Sequence, residues 1–117
     1  MAGEKSDLGV KGEDLAVRYL MNKGFQIIER NFRCRMGEID IVARDDNYLV
    51  FVEVRTRSRT KYGLALESIT NSKINKLRLL ASLYLVRHPQ DRLFIRFDVV
   101  AVNWTEDTEI THIENAF

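Results

Sequence analysis

The 117-residue sequence has one cysteine, Cys34, and one proline, Pro89. A single cysteine excludes an intramolecular disulfide framework and is typical of proteins of the reducing cytoplasm. No apolar run approaches the roughly 18 residues of a membrane-spanning helix, so no membrane partner is expected. The first residues also lack the apolar stretch of a secretory signal, which again favours a cytoplasmic location.

Several signatures of enzyme chemistry are missing as well. The sequence contains no glycine-rich phosphate loop and no dinucleotide-binding glycine fingerprint. His88 precedes Pro89 and His112 lies in a predicted strand, without the His–Cys spacing of a zinc site. We interpret both histidines as surface or helix-capping residues. No Ser–His–Asp or Cys–His pair has a spacing that suggests nucleophilic catalysis.

The composition is that of a folded globular protein. Hydrophobic residues make up 45% and charged residues 30% of the chain, which excludes an intrinsically disordered protein. There is no internal repeat and no linker rich in Pro, Gly or Ser, so residues 1–117 are predicted to form a single domain. The formal net charge of +1 identifies no partner, because a near-neutral total is compatible with a local basic patch.

Hydrophobic periodicity predicts two helices and five strands. Both helices have a stop signal, Gly24 after the first and Pro89 after the second. The predicted elements in chain order are a helix over 7–23, strands over 25–32, 38–43 and 48–55, a helix over 70–87, and strands over 93–104 and 110–113. The strand predicted over 93–104 is apolar on both faces and is expected to lie in the centre of the sheet. This order predicts an α/β or α+β domain with one sheet covered by two helices.

Three charged residues interrupt two strands that otherwise look buried. Alternation along YLVFVEVR places Glu53 and Arg55 on one face of their strand. Aligning the aliphatic faces across the predicted hairpin, with Ile39 and Ile41 on the same face, puts Asp40 on the side of Glu53 and Arg55. A two-residue turn would set Asp40 directly opposite Glu53, and a four-residue turn would make the carboxylates diagonal neighbours.

This carboxylate pair needs compensation by a cation, a proton or a hydrogen bond. Mg²⁺ is commonly bound by one or two carboxylates, with water and substrate phosphate oxygens completing its octahedral shell. Asp40 and Glu53 can supply that minimum, and Arg55 can stabilise charge that develops on a phosphate under attack. A structural ion-pair cluster, or acids half exposed at a sheet edge, are alternatives that spacing alone leaves open.

A basic segment, RTRSRTK, follows the carboxylate pair and is predicted to leave the sheet as a loop. Its cations Arg55, Arg57, Arg59 and Lys61 alternate with small hydroxyl residues and can contact several backbone phosphates of a nucleic acid. Lys73 on the second predicted helix can extend this nucleic-acid-binding patch. Simple solvation of a charged surface is the alternative interpretation for the loop and the helix alike.

The ordered motifs resemble a known nuclease core. Asp40, followed in the next strand by Glu53-Val54-Arg55 and preceded by a helix that carries Glu13, is similar to the PD-(D/E)xK core of restriction endonucleases and archaeal Holliday-junction resolvases. More closely, the runs GEDLA, NFRCRMGEIDIVARD, LVFVEVRTR and RFDVVAV resemble the YraN family of bacterial proteins, over nearly the whole chain. The resemblance implies a restriction-endonuclease-like α/β fold, with an α-β-β-β-α-β core and a central mixed sheet flanked by helices.

The resemblance also implies roles for individual residues. Asp40 and Glu53 would bind Mg²⁺ or Mn²⁺, and the Val54 carbonyl would be a further ligand. Glu13 would complete the acidic cluster directly or through water. One mild departure is Ile39, which stands where the nuclease pattern usually has proline, a residue that is not a ligand.

A second departure is Arg55, which stands where the nuclease motif has lysine. Arginine keeps its proton, so it can bind phosphate but cannot act as a general base. Catalysis by this chain would then depend on a metal-bound hydroxide for the proton transfer.

The leading hypothesis is a cytoplasmic bacterial protein that binds branched or single-stranded DNA and hydrolyses phosphodiester bonds with Mg²⁺ or Mn²⁺. One alternative is a non-catalytic nucleic-acid-binding module that retains the nuclease fold. Another is a protein-interaction scaffold in which the charged residues of the two strands form a structural cluster. Related resolvases act as dimers, so a homodimer is an expectation by analogy alone.

Overall fold

Two helices flank one five-stranded sheet in the computed structural model, which describes residues 7–57, 69–90, 92–104 and 107–117. The elements are α1 (Asp7–Asn22), β1 (Gln26–Cys34), β2 (Gly37–Asp45), β3 (Tyr48–Arg57), α2 (Asn71–Arg87), β4 (Phe94–Asn103) and β5 (Glu109–Ile113). Their order and type match the prediction, and their bounds differ from it by one or two residues. The described part of the chain contains no helix that is long and apolar enough to cross a membrane.

The sheet is mixed, with strand order β1-β2-β3-β4-β5. Neighbouring strands are antiparallel except for β3 and β4, which run parallel. Parallel neighbours need a crossover connection, and α2 lies between β3 and β4 in the chain. The predicted α/β class is therefore confirmed.

The hairpin between β2 and β3 has the tighter of the two turns considered above. Asp45 pairs with Tyr48, which leaves Asp46 and Asn47 as the two turn residues. Asp46 has a φ of 53°, a left-handed conformation that Asp and Asn tolerate better than most residues. The ladder of paired residues runs from this turn to Ile41 and Val52.

The helices cover opposite faces of the sheet. On one face, Ala16 and Leu20 of α1 pack in a buried cluster with residues such as Val52. On the other face, Leu80 and Tyr84 of α2 pack in a second buried cluster with β-strand residues that include Phe51 and Phe32. Strand β4 is buried on both faces along most of its length, as its continuous apolar pattern predicted. The two clusters hold the strands that carry the charged residues.

Helix α1 comes very close to β3 at Gly12. A Cβ atom added to Gly12 would collide with the side chain of Thr56. Glycine is required here because only a hydrogen atom fits between the helix and the strand. This close approach fixes the height of α1 on the sheet and buries its next residue, Glu13, which is 2% exposed.

The alternation of side chains between the two faces of the sheet is interrupted once in β1, at Asn31, and once in β2, at Asp40. Asn31 has a φ of 56°. Before this kink in β1, Arg30 bonds to Glu13 of α1, and its β2 partner Ile41 packs under the same helix. After the kink, Phe32 and its partner Ile39 pack under α2. The expectation that Ile39 and Ile41 share a face is therefore wrong, because strict alternation fails where the strand backbone is kinked.

His112 and Asp98 form part of a buried network beneath β5. The His112 side chain is 1% exposed, and its Nε2 lies 2.8 Å from Asp98 Oδ2, so the expectation of a surface or capping role is wrong. Asp98 also accepts hydrogen bonds from Arg96 Nε at 2.8 Å and from the Asn115 backbone N–H at 3.0 Å. Burial opposes ionisation of Asp98, but the hydrogen bonds from His112 and Arg96 outweigh it, so its pKa is lowered.

Two further expectations concern the ends of elements. Strand β3 continues to Arg57, so the prediction that the basic segment leaves the sheet at Arg55 is wrong for its first residues. The Arg57 carbonyl accepts a hydrogen bond from the Trp104 backbone N–H, which extends the contact with β4. His88 is the C-cap of α2 and donates its backbone N–H to the Tyr84 carbonyl at 2.8 Å, so its capping role is confirmed.

Candidate functional site

The centre of the candidate site is the pair of carboxylates on β2 and β3. Asp40 is 7% exposed and Glu53 is 3% exposed, and the two side chains are hydrogen-bonded to each other. Asp40 Oδ2 also accepts a hydrogen bond from the Val54 backbone N–H at 2.8 Å. The ladder between β2 and β3 ends at Ile41 and Val52. Beyond the end of this ladder, the Val54 N–H is therefore paired with the Asp40 carboxylate rather than with a backbone carbonyl of β2.

Strand geometry also places the Val54 carbonyl beside this pair. In an antiparallel ladder, a hydrogen-bonded residue exchanges both its N–H and its C=O with the same neighbouring strand. The Val54 N–H is directed toward Asp40, so the Val54 carbonyl lies on the same edge of β3. Two carboxylates and one peptide oxygen thus border one small region.

The electrostatics of Glu53 are unusual for a carboxyl group. Burial, the hydrogen bond with Asp40 and repulsion from the Asp40 charge raise the pKa of Glu53 to about 8. Lys73 and Arg55 oppose this effect without cancelling it. The buried pair therefore retains a proton at neutral pH when no further cation is present.

Two cations lie close to Glu53. Lys73 Nζ is 3.4 Å from Glu53 Oε2, and Arg55 Nη1 is 3.7 Å from the same atom. Lys73 lies in the first turn of α2, where its backbone N–H donates to the side chain of the N-cap residue Thr70 at 3.1 Å. Sequence reasoning placed Lys73 at the edge of a phosphate-binding patch. The structure also brings it to the carboxylate pair.

The oxygen donors fit a hard divalent cation. Glu53 Oε2 is buried, and no described group makes a hydrogen bond to it. A buried carboxylate oxygen without a hydrogen bond is costly, and a bound cation would remove that cost. Carboxylate and carbonyl oxygens are the ligands that Mg²⁺ and Mn²⁺ prefer. Asp40, Glu53 and the Val54 carbonyl would hold the ion, as the resemblance implied.

Glu13 is hydrogen-bonded to two residues of β1. Its Oε1 accepts hydrogen bonds from Arg30 Nη2 at 3.1 Å and from Asn31 Nδ2 at 3.0 Å. Within the residues that the structure describes, no three His, Cys, Asp or Glu side chains group closely enough to hold a metal ion. The structure therefore does not gather Glu13 with Asp40 and Glu53 into one acidic cluster, and a water-mediated role for Glu13 stays a prediction.

The proposed phosphate-binding residues are only partly described. Arg55 and Arg57 lie on β3, with Arg57 exposed at the end of the strand. Arg59 and Lys61 lie outside the described residues, so their part in a basic patch stays a prediction.

The motifs that build this site are those of one bacterial protein family. A family model described as "Uncharacterised protein family UPF0102" matches residues 12–102. The chain belongs to the UPF0102 family. This is the YraN family to which the sequence motifs pointed, so that resemblance is confirmed. The matched segment contains both carboxylates, both neighbouring cations and Glu13.

Relatives in the UPF0102 family are similar over essentially their whole length. A UPF0102 protein of Pelotomaculum thermopropionicum is 48% identical over 120 residues, covering 100% of both chains. One from Thermodesulfovibrio yellowstonii is 46% identical over 111 residues, covering 95% of this chain and 96% of the relative. One from Frankia casuarinae is 44% identical over 115 residues, covering 97% and 98%. The names of these relatives state no activity or ligand.

Proposed function

We propose that this UPF0102 protein is a Mg²⁺- or Mn²⁺-dependent nuclease that acts on branched or single-stranded DNA. The observation that carries the proposal is the buried, mutually bonded pair Asp40 and Glu53, in which Glu53 Oε2 has no hydrogen bond from a described group and faces Lys73 and Arg55. A structural ion-pair cluster would be expected to satisfy its buried oxygens fully. This one retains an acceptor for an additional cation.

The order of elements supports a restriction-endonuclease-like core. Helix α1 is followed by the antiparallel strands β1, β2 and β3, and α2 then leads to β4, which runs parallel to β3. This is the α-β-β-β-α-β arrangement that the sequence resemblance implied. The candidate carboxylates lie on the second and third strands, where the PD-(D/E)xK pattern has its acidic residues.

Each residue of the site has a distinct chemical role in this proposal. Asp40, Glu53 and the Val54 carbonyl bind the cation, which when bound would polarise the scissile phosphate and acidify a water molecule. Arg55 binds a phosphate oxygen and stabilises the charge that develops there. Lys73 places an amine beside the carboxylates, which is the kind of group that the nuclease motif has where this chain has Arg55.

The basic character of α2 supports an anionic substrate. The helix sequence NSKINKLRLLASLYLVR contains Lys73, Lys76, Arg78 and Arg87 and no acidic residue. Phosphate contacts from cations on one side of a site give sequence-independent, salt-sensitive affinity for nucleic acid. Arg57 at the end of β3 would extend these contacts, and a homodimer remains the assembly expected by analogy with resolvases.

The test combines metal binding and cleavage. Mn²⁺ binding is measured by calorimetry for the wild type and for Asp40→Asn, Glu53→Gln and the control Glu109→Gln, a change at an exposed residue of β5. The same four proteins are incubated with a four-way DNA junction and with single-stranded DNA. We expect Mn²⁺ binding and Mn²⁺-dependent cleavage in the wild type and the control, and neither in the two site variants.

Other outcomes identify the competing functions. The replacement of the motif lysine by Arg55 favours a non-catalytic nucleic-acid-binding module as the second candidate. DNA binding at low salt that survives Asp40→Asn, without cleavage by any variant, would establish that module and refute the nuclease. If the folded wild type binds neither Mn²⁺ nor DNA, the pair is a structural cluster.

A further inference from the structure

Asn31 has an unusual backbone conformation for a strand residue and a side-chain acceptor without a hydrogen bond. It adopts a left-handed backbone with a φ of 56° inside β1. Its side-chain Nδ2 donates a hydrogen bond to the buried Glu13 Oε1 at 3.0 Å. Its side-chain Oδ1 is buried, and no described group makes a hydrogen bond to it. A buried amide with only its donor end satisfied costs about 1–3 kcal/mol of desolvation at the acceptor end.

The register places Asn31 directly across from Asp40. Arg30 pairs with Ile41 on one side of this position, and Phe32 pairs with Ile39 on the other. Opposite residues of antiparallel strands have Cβ atoms about 5 Å apart. Asn31 is therefore the β1 residue nearest in register to the carboxylate pair.

The two ends of the Asn31 amide cannot exchange places without loss. An ionised carboxylate can accept hydrogen bonds but cannot donate them. The NH₂ group of Asn31 must therefore face Glu13, and the amide oxygen must face away from it. Arg30 also binds Glu13 Oε1, through Nη2 at 3.1 Å, which reinforces the position of that carboxylate. Glu13 thus fixes the orientation of the Asn31 amide.

We infer that Asn31 Oδ1 is a further oxygen donor to the divalent cation held by Asp40 and Glu53, oriented by the hydrogen bond from Asn31 to Glu13. The inference rests on the function proposed above and names a ligand and a positioning residue for the same site. It gives Glu13 a role through Asn31, since Glu13 holds the amide rather than the cation. It also gives one explanation for two buried oxygens of the described residues that have no hydrogen bond, Asn31 Oδ1 and Glu53 Oε2.

The left-handed backbone of Asn31 allows a variant that removes the side-chain amide without straining the backbone. Glycine adopts positive φ without strain, so Asn31→Gly removes the amide and leaves the left-handed backbone favourable. The matched control is Asn115→Gly, because Asn115 also has a positive φ, 52°, and lies beside Asp98 rather than the carboxylate pair. Mn²⁺ affinity is measured by calorimetry, and urea unfolding in a chelator reports the stability of each metal-free protein.

We expect Asn31→Gly to weaken Mn²⁺ binding by about 10- to 100-fold, with little change in metal-free stability, and Asn115→Gly to bind Mn²⁺ as the wild type does. Glu13→Gln is expected to weaken binding as well, and to add little when Asn31→Gly is already present. Such non-additivity is expected of coupled residues and would not follow from independent structural roles.

The failures of the two proposals are distinguishable. If the wild type binds Mn²⁺ through Asp40 but Asn31→Gly binds it equally well, the assignment of Asn31 is wrong and the proposed nuclease stands. Weaker binding in Asn31→Gly that is matched by Asn115→Gly also overturns the assignment. If the folded wild type binds no Mn²⁺ at all, both proposals are overturned.

Discussion

The raised pKa of Glu53 predicts how the stability of the metal-free protein changes with pH. The pKa is about 8 in the folded chain against an ordinary value of 4.5. Between these values the folded protein holds one proton more than the unfolded chain, so the free energy of unfolding must fall as pH rises. One proton corresponds to about 1.4 kcal/mol for each pH unit, or roughly 4 kcal/mol between pH 5 and pH 8.

Replacing the titrating group isolates this effect from all other ionisations. Glu53→Gln keeps the size of the side chain and cannot ionise, so its unfolding free energy is expected to lack this decline. Urea unfolding of the two proteins is measured in a chelator at intervals from pH 5 to pH 8, with Glu109→Gln as a control that retains the wild-type slope. The difference between wild type and Glu53→Gln should grow with pH in favour of the variant.

A clear result would refute the reasoning. If the unfolding free energies of wild type and Glu53→Gln run parallel across this pH range, the buried pair does not retain a proton and the electrostatic description of the site is wrong. Excess Mn²⁺ provides a second check on the wild type. A bound cation favours the ionised pair, so stabilisation by Mn²⁺ should increase as pH rises.

Two further predictions concern residues around the pair. Lys73→Ala is expected to reduce DNA cleavage by at least about 100-fold, whereas Lys76→Ala, an exposed change on the same helix, should have a much smaller effect; equal losses would show that both lysines only attract DNA. Asp98→Ala is expected to lower the free energy of unfolding by about 3–5 kcal/mol, because it leaves the buried Arg96 charge without its main partner. Urea unfolding measures this change, and a loss below about 1 kcal/mol would contradict the buried-network description.

The sequence was sufficient for features that depend on local patterns. Alternating apolar residues on either side of the turn signal Asp45-Asp46-Asn47 predicted the β2–β3 hairpin and left a two-residue or a four-residue turn open. The predicted register also placed Asp40 next to Glu53, either directly opposite or as a diagonal neighbour. A capping role for His88 could be proposed because capping depends on residues within one turn of a helix.

Other features depend on contacts that no local pattern encodes. The change of face at Asn31 needs a left-handed residue inside a strand. Asn tolerates that conformation, but the presence of an Asn in a strand does not by itself predict it. Lys73 reaches Glu53 only because of how α2 docks on the sheet. His112 is buried because β5 pairs with β4 and sets it against Asp98, and five-residue strands give a weak periodic signal.

The change of face at Asn31 and Asp40 links the chemistry of the protein to its ability to fold. A chain that straightened β1 at this point would turn Phe32 away from α2 and toward α1, leaving a void in one hydrophobic layer and crowding in the other. Loss of the kink would therefore lower the free energy of unfolding, whether or not the site binds a ligand. Mutational drift can remove a reactive side chain from this protein far more readily than it can remove the backbone shape that presents it.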